Sequence, residues 1–284
     1  MISVAEEQAE ERAEEGAEVG VGMKPYFLRN AAKPSKLAVA SPKIDGMTSP
    51  AHLVLIPGLA CDARLWRDQL PDLPVALDTI VSDAATRYGT IPAMAAAVLR
   101  EHAGPLILCG ASMGGMIAME AARQAPERIV GLALLGTNAQ PESAETFALR
   151  EAAIELFERG DVRDVIEPNI AFAFHPAQAA DHELTQRYLE IVLDAGAVQL
   201  IRQNRAVMQR PDARTHLPSV RCPVLVMCGD SDTLTPPACS REIAALVPHA
   251  ELVWVPQCGH MLTMEKPALV NATLVDWLRR VSAT

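Results

Sequence analysis

An α/β fold built on a mostly parallel sheet is what this 284-residue sequence predicts, and three observations carry the prediction. Short apolar runs alternate with longer stretches of helical periodicity. The runs are continuously apolar, as in strands covered on both faces. A Gly-x-Ser-x-Gly turn stands between one such run and the helix that follows it. Half of the residues are hydrophobic and 21% are charged, a composition suited to a packed core. A chain of this length builds that core without disulfides or metal ions.

In chain order, strands are expected at His52–Ile56, stopped by Pro57-Gly58, at Val75–Val81, and at Leu106–Cys109, stopped by Gly110. Three more follow at Ile129–Leu135, Val224–Cys228 and Leu252–Val255. Helices are expected over 91–102, 113–125, 238–247 and 265–282. Strand, helix and strand in this succession predict parallel pairing with crossover helices. One stretch breaks the alternation. Residues 142–217 contain no convincing strand and read as helices at 142–159, 161–168, 178–195 and 196–209, too long for a crossover. An inserted helical cap is expected there. Its apolar residues Phe147, Phe157, Phe172, Phe174, Leu193 and Met208 are read first as helix-to-helix packing, with a pocket wall as the alternative.

Charge divides the chain again. The net charge is -10, and residues 1–22 hold seven glutamates against one arginine. Residues 23–46 hold five bases against Asp45, and few large apolar residues occur in either stretch. Such a segment cannot repay its ordering entropy by burial. Residues 1–46 are therefore expected to be a flexible, disordered extension ahead of a working unit that starts near Met47. The core then comprises 47–141 and 218–284, and the cap 142–217. The acidic first residues are unlike a secretory signal. The acidic balance argues against nucleic acid and anionic membrane surfaces, and no apolar run approaches the ~20 residues of a membrane span. Six cysteines, at 61, 109, 222, 228, 239 and 258, form no C-x-x-C pair and no zinc-finger spacing. Reduced thiols and a cytoplasmic location are the expectation. The sequence carries no signature of oligomeric state.

The chemistry centres on Gly110-Ala111-Ser112-Met113-Gly114-Gly115. A G-x-S-x-G turn holds its serine at a strained strand-to-helix corner, so that the hydroxyl projects from the sheet edge. Ser112 is the expected nucleophile. A serine hydroxyl needs a base, and the base needs an orienting acid. Among seven histidines, His260 stands apart, because Gln257-Cys258-Gly259-His260 follows the last strand and precedes the last helix. The others read as surface or strand-edge residues. The acid is expected in Gly229-Asp230-Ser231-Asp232, with both carboxylates as candidates and Asp230 the better placed for capping its own turn. The order Ser112, Asp232, His260 is the one this kind of sheet imposes. After the strand Ile129–Leu135 stands Gly136-Thr137-Asn138, which offers no acid. Oxyanion donors are expected from the backbone N–H of Met113 and of Leu59 after Pro57-Gly58, with Ala60 as the alternative to Leu59.

With these residues the chain resembles the α/β-hydrolase superfamily over about residues 50–282, in the manner of small capped esterases and lactonases. The resemblance implies Ser112 as nucleophile, Asp232 as acid and His260 as base, with oxyanion donors at Leu59 and Met113. It implies no cofactor, no metal and a small-molecule ester or lactone substrate. Two departures stand out. Pro57-Gly58 replaces the usual His-Gly, and Ser82-Asp83-Ala84-Ala85-Thr86-Arg87-Tyr88-Gly89 replaces a glycine-rich segment that often flanks the pocket. The expected activity is hydrolysis of a carboxylic ester, lactone or thioester through an acyl-enzyme on Ser112. The alternatives are an acyltransferase, a carbon–carbon hydrolase, a cofactor-free peroxidase-like enzyme, or a ligand-binding receptor of the same fold. Arg202, Arg205, Arg210 and Arg214 crowd the end of the cap, where they either meet an anionic substrate or form a solvated face.

Overall fold

Continuous apolarity becomes a sheet whose strands are covered on both faces. The computed structural model describes residues 51–282, so the expected extension over 1–46 lies outside the described residues. Six strands form one parallel sheet: β1 His52–Ile56, β2 Asp78–Val81, β3 Leu106–Ala111, β4 Ile129–Leu135, β5 Val224–Gly229 and β6 Glu251–Val255. Their order is β2-β1-β3-β4-β5-β6, and in register His52 pairs with Leu106 and Ile56 with Gly110. Successive side chains on a strand point to opposite faces, so the strands feed two apolar layers. Val54, Leu108, Leu134 and Val226 face one layer, while Leu55, Cys109, Leu135 and Met227 face the other.

Among the described residues ten helices accompany the sheet: α1 Ala84–Arg87, α2 Ile91–Glu101, α3 Met113–Gln124, α4 Ala144–Arg159, α5 Val162–Asn169, α6 Pro176–Ala179, α7 His182–Met208, α8 Pro237–Leu246, α9 Leu262–Glu265 and α10 Pro267–Val281. Helices α2, α3 and α8 cover the first layer through Met94, Ile117 and Ile243. Helix α10 covers the second through Leu274, Trp277 and Leu278, joined by Trp66 from a short 3-10 turn. The order of strands reverses between β1 and β3, where sheets of this type leave a crevice at the carboxyl ends of their strands.

Two helix expectations are corrected. The single helix expected over 265–282 is broken at Lys266 (φ -134°, ψ 52°), because the residue before Pro267 is pushed out of the helical region. The helix expected from 178 starts later, at His182, where the Asp181 side chain accepts from the Leu184 N–H. Helix α7 then bends at Gly196 (φ 71°, ψ 167°), a conformation open to glycine alone. The described residues between β4 and β5 form no strand. No helix among the described residues is long and apolar enough to cross a membrane. All six cysteines are unpaired.

Candidate active site

The β3–α3 corner is fixed by backbone meeting backbone. A Cβ on Gly110 would stand 2.2 Å from the Gly114 carbonyl oxygen, and one on Gly114 would stand 2.0 Å from that of Ile56. Glycines let the first turn of α3 press against the end of β1. Between them Ser112 adopts φ 52° and ψ -117°, a strained conformation for a residue with a side chain. Its N–H donates to Leu135 O at 2.8 Å, and its own carbonyl accepts from Thr137 Oγ1 at 2.7 Å.

Ser112 and His260 line the same cavity, an open cleft of about 370 Å³, its mouth included, between the β1 and β3 loops, α7 and the loop before α9. His260 Nδ1 lies 2.9 Å from Asp232 Oδ2, leaving Nε2 for a partner in the cavity. Asp232 accepts from the N–H groups of Leu234 and Thr235 through Oδ1, both at 2.9 Å, and from Thr235 Oγ1 through Oδ2 at 2.8 Å. Burial opposes its ionisation, but the imidazole and these donors outweigh that cost and hold its carboxyl below the usual range. Asp230, the other candidate acid, instead accepts from the N–H groups of Gln257 and Cys258 at 3.0 and 3.3 Å. It ties the β5 loop to the β6 loop and does not touch His260. Gly136 leaves room for the pair, since a Cβ there would lie 3.3 Å from Asp232 Oδ2 and 3.5 Å from His260 Nδ1.

Leu59 lines the cavity, and Met113 is buried at the start of α3. Among the described residues neither amide has an acceptor; Met113 opens α3, whose first turn leaves its N–H groups free, and Leu59 lies in the turn after β1. The alternative donor, Ala60, is occupied: its N–H donates to Gln203 Oε1 at 2.7 Å.

Three contributors escaped the sequence reading. Thr235 holds Asp232, and its place three residues beyond the acid was the available signal. Glu265 is buried, and its carboxylate accepts from the N–H groups of Gly259 at 3.0 Å, Met261 at 3.1 Å and His175 at 2.8 Å. It thus grips the peptides on both sides of His260. Tyr188 of α7 is the aromatic residue on the cavity wall, whereas none of the six apolar residues considered for that role lines it. Phe157 and Phe174 are buried in packing, Phe174 edge-on to Tyr188 at 5.5 Å, while Phe147 and Phe172 are exposed.

The remaining side chains on the wall are neutral. Burial pushes the Cys61 thiol up to about 12, and burial also raises Tyr188. The four arginines near the end of the helical segment are committed elsewhere. Arg202 donates to Thr86 O, Arg205 pairs with Glu158 at 2.7 Å, Arg210 with Glu142 at 2.7 Å and Arg214 with Asp212 at 2.7 Å. Among the described residues no group of three or more His, Cys, Asp or Glu side chains forms a metal site.

A family model described as "Serine aminopeptidase, S33" matches residues 75–267. The chain belongs to this family of α/β hydrolases. A pimeloyl-[acyl-carrier protein] methyl ester esterase of Aromatoleum aromaticum is 27% identical to this hydrolase over 248 residues, covering 80% of its chain and 98% of the relative. A thermophilic esterase from Thermogutta terrifontis superposes with a TM-score of 0.74 at 27% identity, over 83% of this chain and 92% of the other. The enol-lactonase of Burkholderia xenovorans, at 21% identity and a TM-score of 0.73 over 81% and 92% of the two chains, shares the fold.

Proposed function

We propose that this α/β hydrolase cleaves carboxylic esters of small uncharged acids, lactones and thioesters included, through an acyl-enzyme on Ser112. The observation that carries the reading is the shared cavity. Ser112 stands on its wall together with a histidine whose Nδ1 is already engaged by a buried carboxylate. Asp232 keeps the Nδ1 proton in place, so that Nε2 takes the Ser112 Oγ proton as Oγ attacks the substrate carbonyl. The carbonyl electrons move onto oxygen, toward the free N–H groups of Leu59 and Met113. His260 returns the proton to the departing alcohol, then takes one from water, whose oxygen attacks the acyl carbon and releases the acid and Ser112. The helical segment over 142–217 is read as the cap that closes the acyl site, Tyr188 being its contribution to the wall.

The cavity is a cleft open at its mouth and walled by Leu59, Leu65, Leu135, Tyr188, Met261 and Leu262. Its neutral side chains and the pairing of Arg202, Arg205, Arg210 and Arg214 favour an acyl group without a carboxylate, which a water-poor wall leaves uncompensated. The names of the curated esterase relative and of the thermophilic esterase support ester hydrolysis.

A fluorophosphonate probe followed by peptide mapping tests the reading. The wild type is expected to label at Ser112, Ser112→Ala is expected to remain unlabelled, and His260→Ala is expected to label at least about 10²-fold more slowly. Labelling elsewhere, or equal rates with and without His260, would overturn it.

A further inference from the structure

The turn that offers the Leu59 N–H is unusual in its sequence. Cys61 N–H donates to Gly58 O at 3.1 Å, closing a four-residue turn with Leu59 and Ala60 at its centre. Ala60 has φ 62°, the conformation that such turns normally give to glycine. Nothing in the local sequence favours this shape. Gly58 runs close to the nucleophile, since a Cβ there would stand 3.3 Å from Ser112 Cβ. A flip of the Leu59–Ala60 peptide would turn the Leu59 carbonyl and the Ala60 N–H and shift the adjoining Gly58–Leu59 peptide, which carries the Leu59 N–H, so it would be felt at the reacting centre.

The flip is opposed from outside the turn. Gln203, in the second half of α7, is wholly buried. Its Oε1 accepts from Ala60 N–H at 2.7 Å, and its Nε2 donates to Ala85 O at 3.0 Å. Both ends of the amide are engaged, so the side chain has one orientation only. The acceptor it presents is met by the Ala60 N–H when the central peptide is turned as observed.

We infer that Gln203 is a positioning residue for the oxyanion: it locks the Gly58–Cys61 turn and so aims the Leu59 N–H at the carbonyl oxygen. The inference rests on the reading of Ser112, Leu59 and Met113 given above. Gln203 touches no reacting atom and acts through Ala60 and Leu59.

The test compares an ester with its thionoester, in which sulfur replaces the carbonyl oxygen and gains little from N–H donors placed for oxygen. Two variants are read in the full chain. Gln203→Asn keeps a polar amide in the slot but falls one methylene short of Ala60, and Gln203→Met removes the acceptor at nearly constant volume. Both are expected to lower kcat/KM for a p-nitrophenyl ester by about 10²-fold, mostly in kcat, the scale of a lost oxyanion donor. The thionoester rate is expected to change less than about threefold, so the ester-to-thionoester ratio collapses. Equal losses on both substrates would mean that Gln203 only supports the fold, and an unchanged ester rate would mean that the turn holds itself. Either result overturns the inference while Ser112 still labels with fluorophosphonate. If the wild type neither labels at Ser112 nor hydrolyses the ester, the reading of the whole site fails first.

Discussion

Ser112 is held by main chain against main chain: Gly110 on Gly114, Gly114 on Ile56, and its own N–H on Leu135 O. His260 is held by carboxylates. Asp232 takes its ring nitrogen, Glu265 takes the N–H groups of Gly259 and Met261, and Asp230 takes those of Gln257 and Cys258. Ser112 thus rests on geometry that few side-chain changes disturb, whereas His260 rests on charged side chains that can be deleted. Under the proposed mechanism, rate is expected to be lost most easily from the His260 side.

The largest effect is expected from Asp232→Asn. The amide offers His260 the wrong partner, and kcat/KM for esters should fall about 10⁴-fold while the fold persists. Ester kinetics beside a thermal melt check this, and a loss below tenfold would move the acid's role away from Asp232. Next comes Glu265→Gln. A neutral side chain holds the Gly259 and Met261 N–H groups less firmly, and kcat is expected to fall about 10- to 100-fold with KM nearly constant. Hydrogen exchange should quicken over 257–262 and stay unchanged over 110–116. Equal loosening of both segments would erase the distinction between the two supports.

The smallest effect comes with acid. Burial opposes ionisation of both Asp230 and Asp232, but N–H donors, joined at Asp232 by His260, hold both carboxyls below their usual range. Groups with a depressed folded pKa stabilise fully above the ordinary carboxylate value of about 4, and that stabilisation is lost as pH falls through the folded values. Between pH 6 and 3, exchange corrected for its intrinsic rate should therefore rise at Leu234, Thr235, Gln257 and Cys258 before it rises at Ser112. Simultaneous loss of protection would show that the corner also depends on charge.

The same contrast explains what could be read without coordinates. Strands β1 and β4 begin and end where their apolar runs do, because burial on both faces leaves a local signature. Gly110, Ser112 and Gly114 form a compact pattern, so the corner was visible within six residues. Asp232 and His260 were named as candidates from their order along the chain and the loops they occupy, and the fold brings their side chains within 2.9 Å. Gln203 and Glu265 were not found. Gln203 meets Ala60 across 143 residues and Glu265 meets His175 across 90, while the Gly259 and Met261 N–H groups that Glu265 also takes lie close in sequence but are main-chain groups that no residue type marks. That the Ala60 N–H is occupied was hidden for the same reason, since only the folded chain brings Gln203 to it. Tyr188 was hidden among better-known pocket formers, because helical periodicity reports which face is apolar and not which apolar residue meets the nucleophile.

The bend at Gly196 divides one helix between two duties. Tyr188 and the cavity wall lie before it, while Gln203 and its hold on the β1 loop lie after it. A glycine in a conformation no other residue tolerates separates the halves, so under the proposed mechanism the outer half can vary in sequence without disturbing the half that carries Gln203. Diversity among the acids this enzyme is engineered to take should then concentrate in residues 182–195, with residues 197–208 left intact as the constant part of the machine.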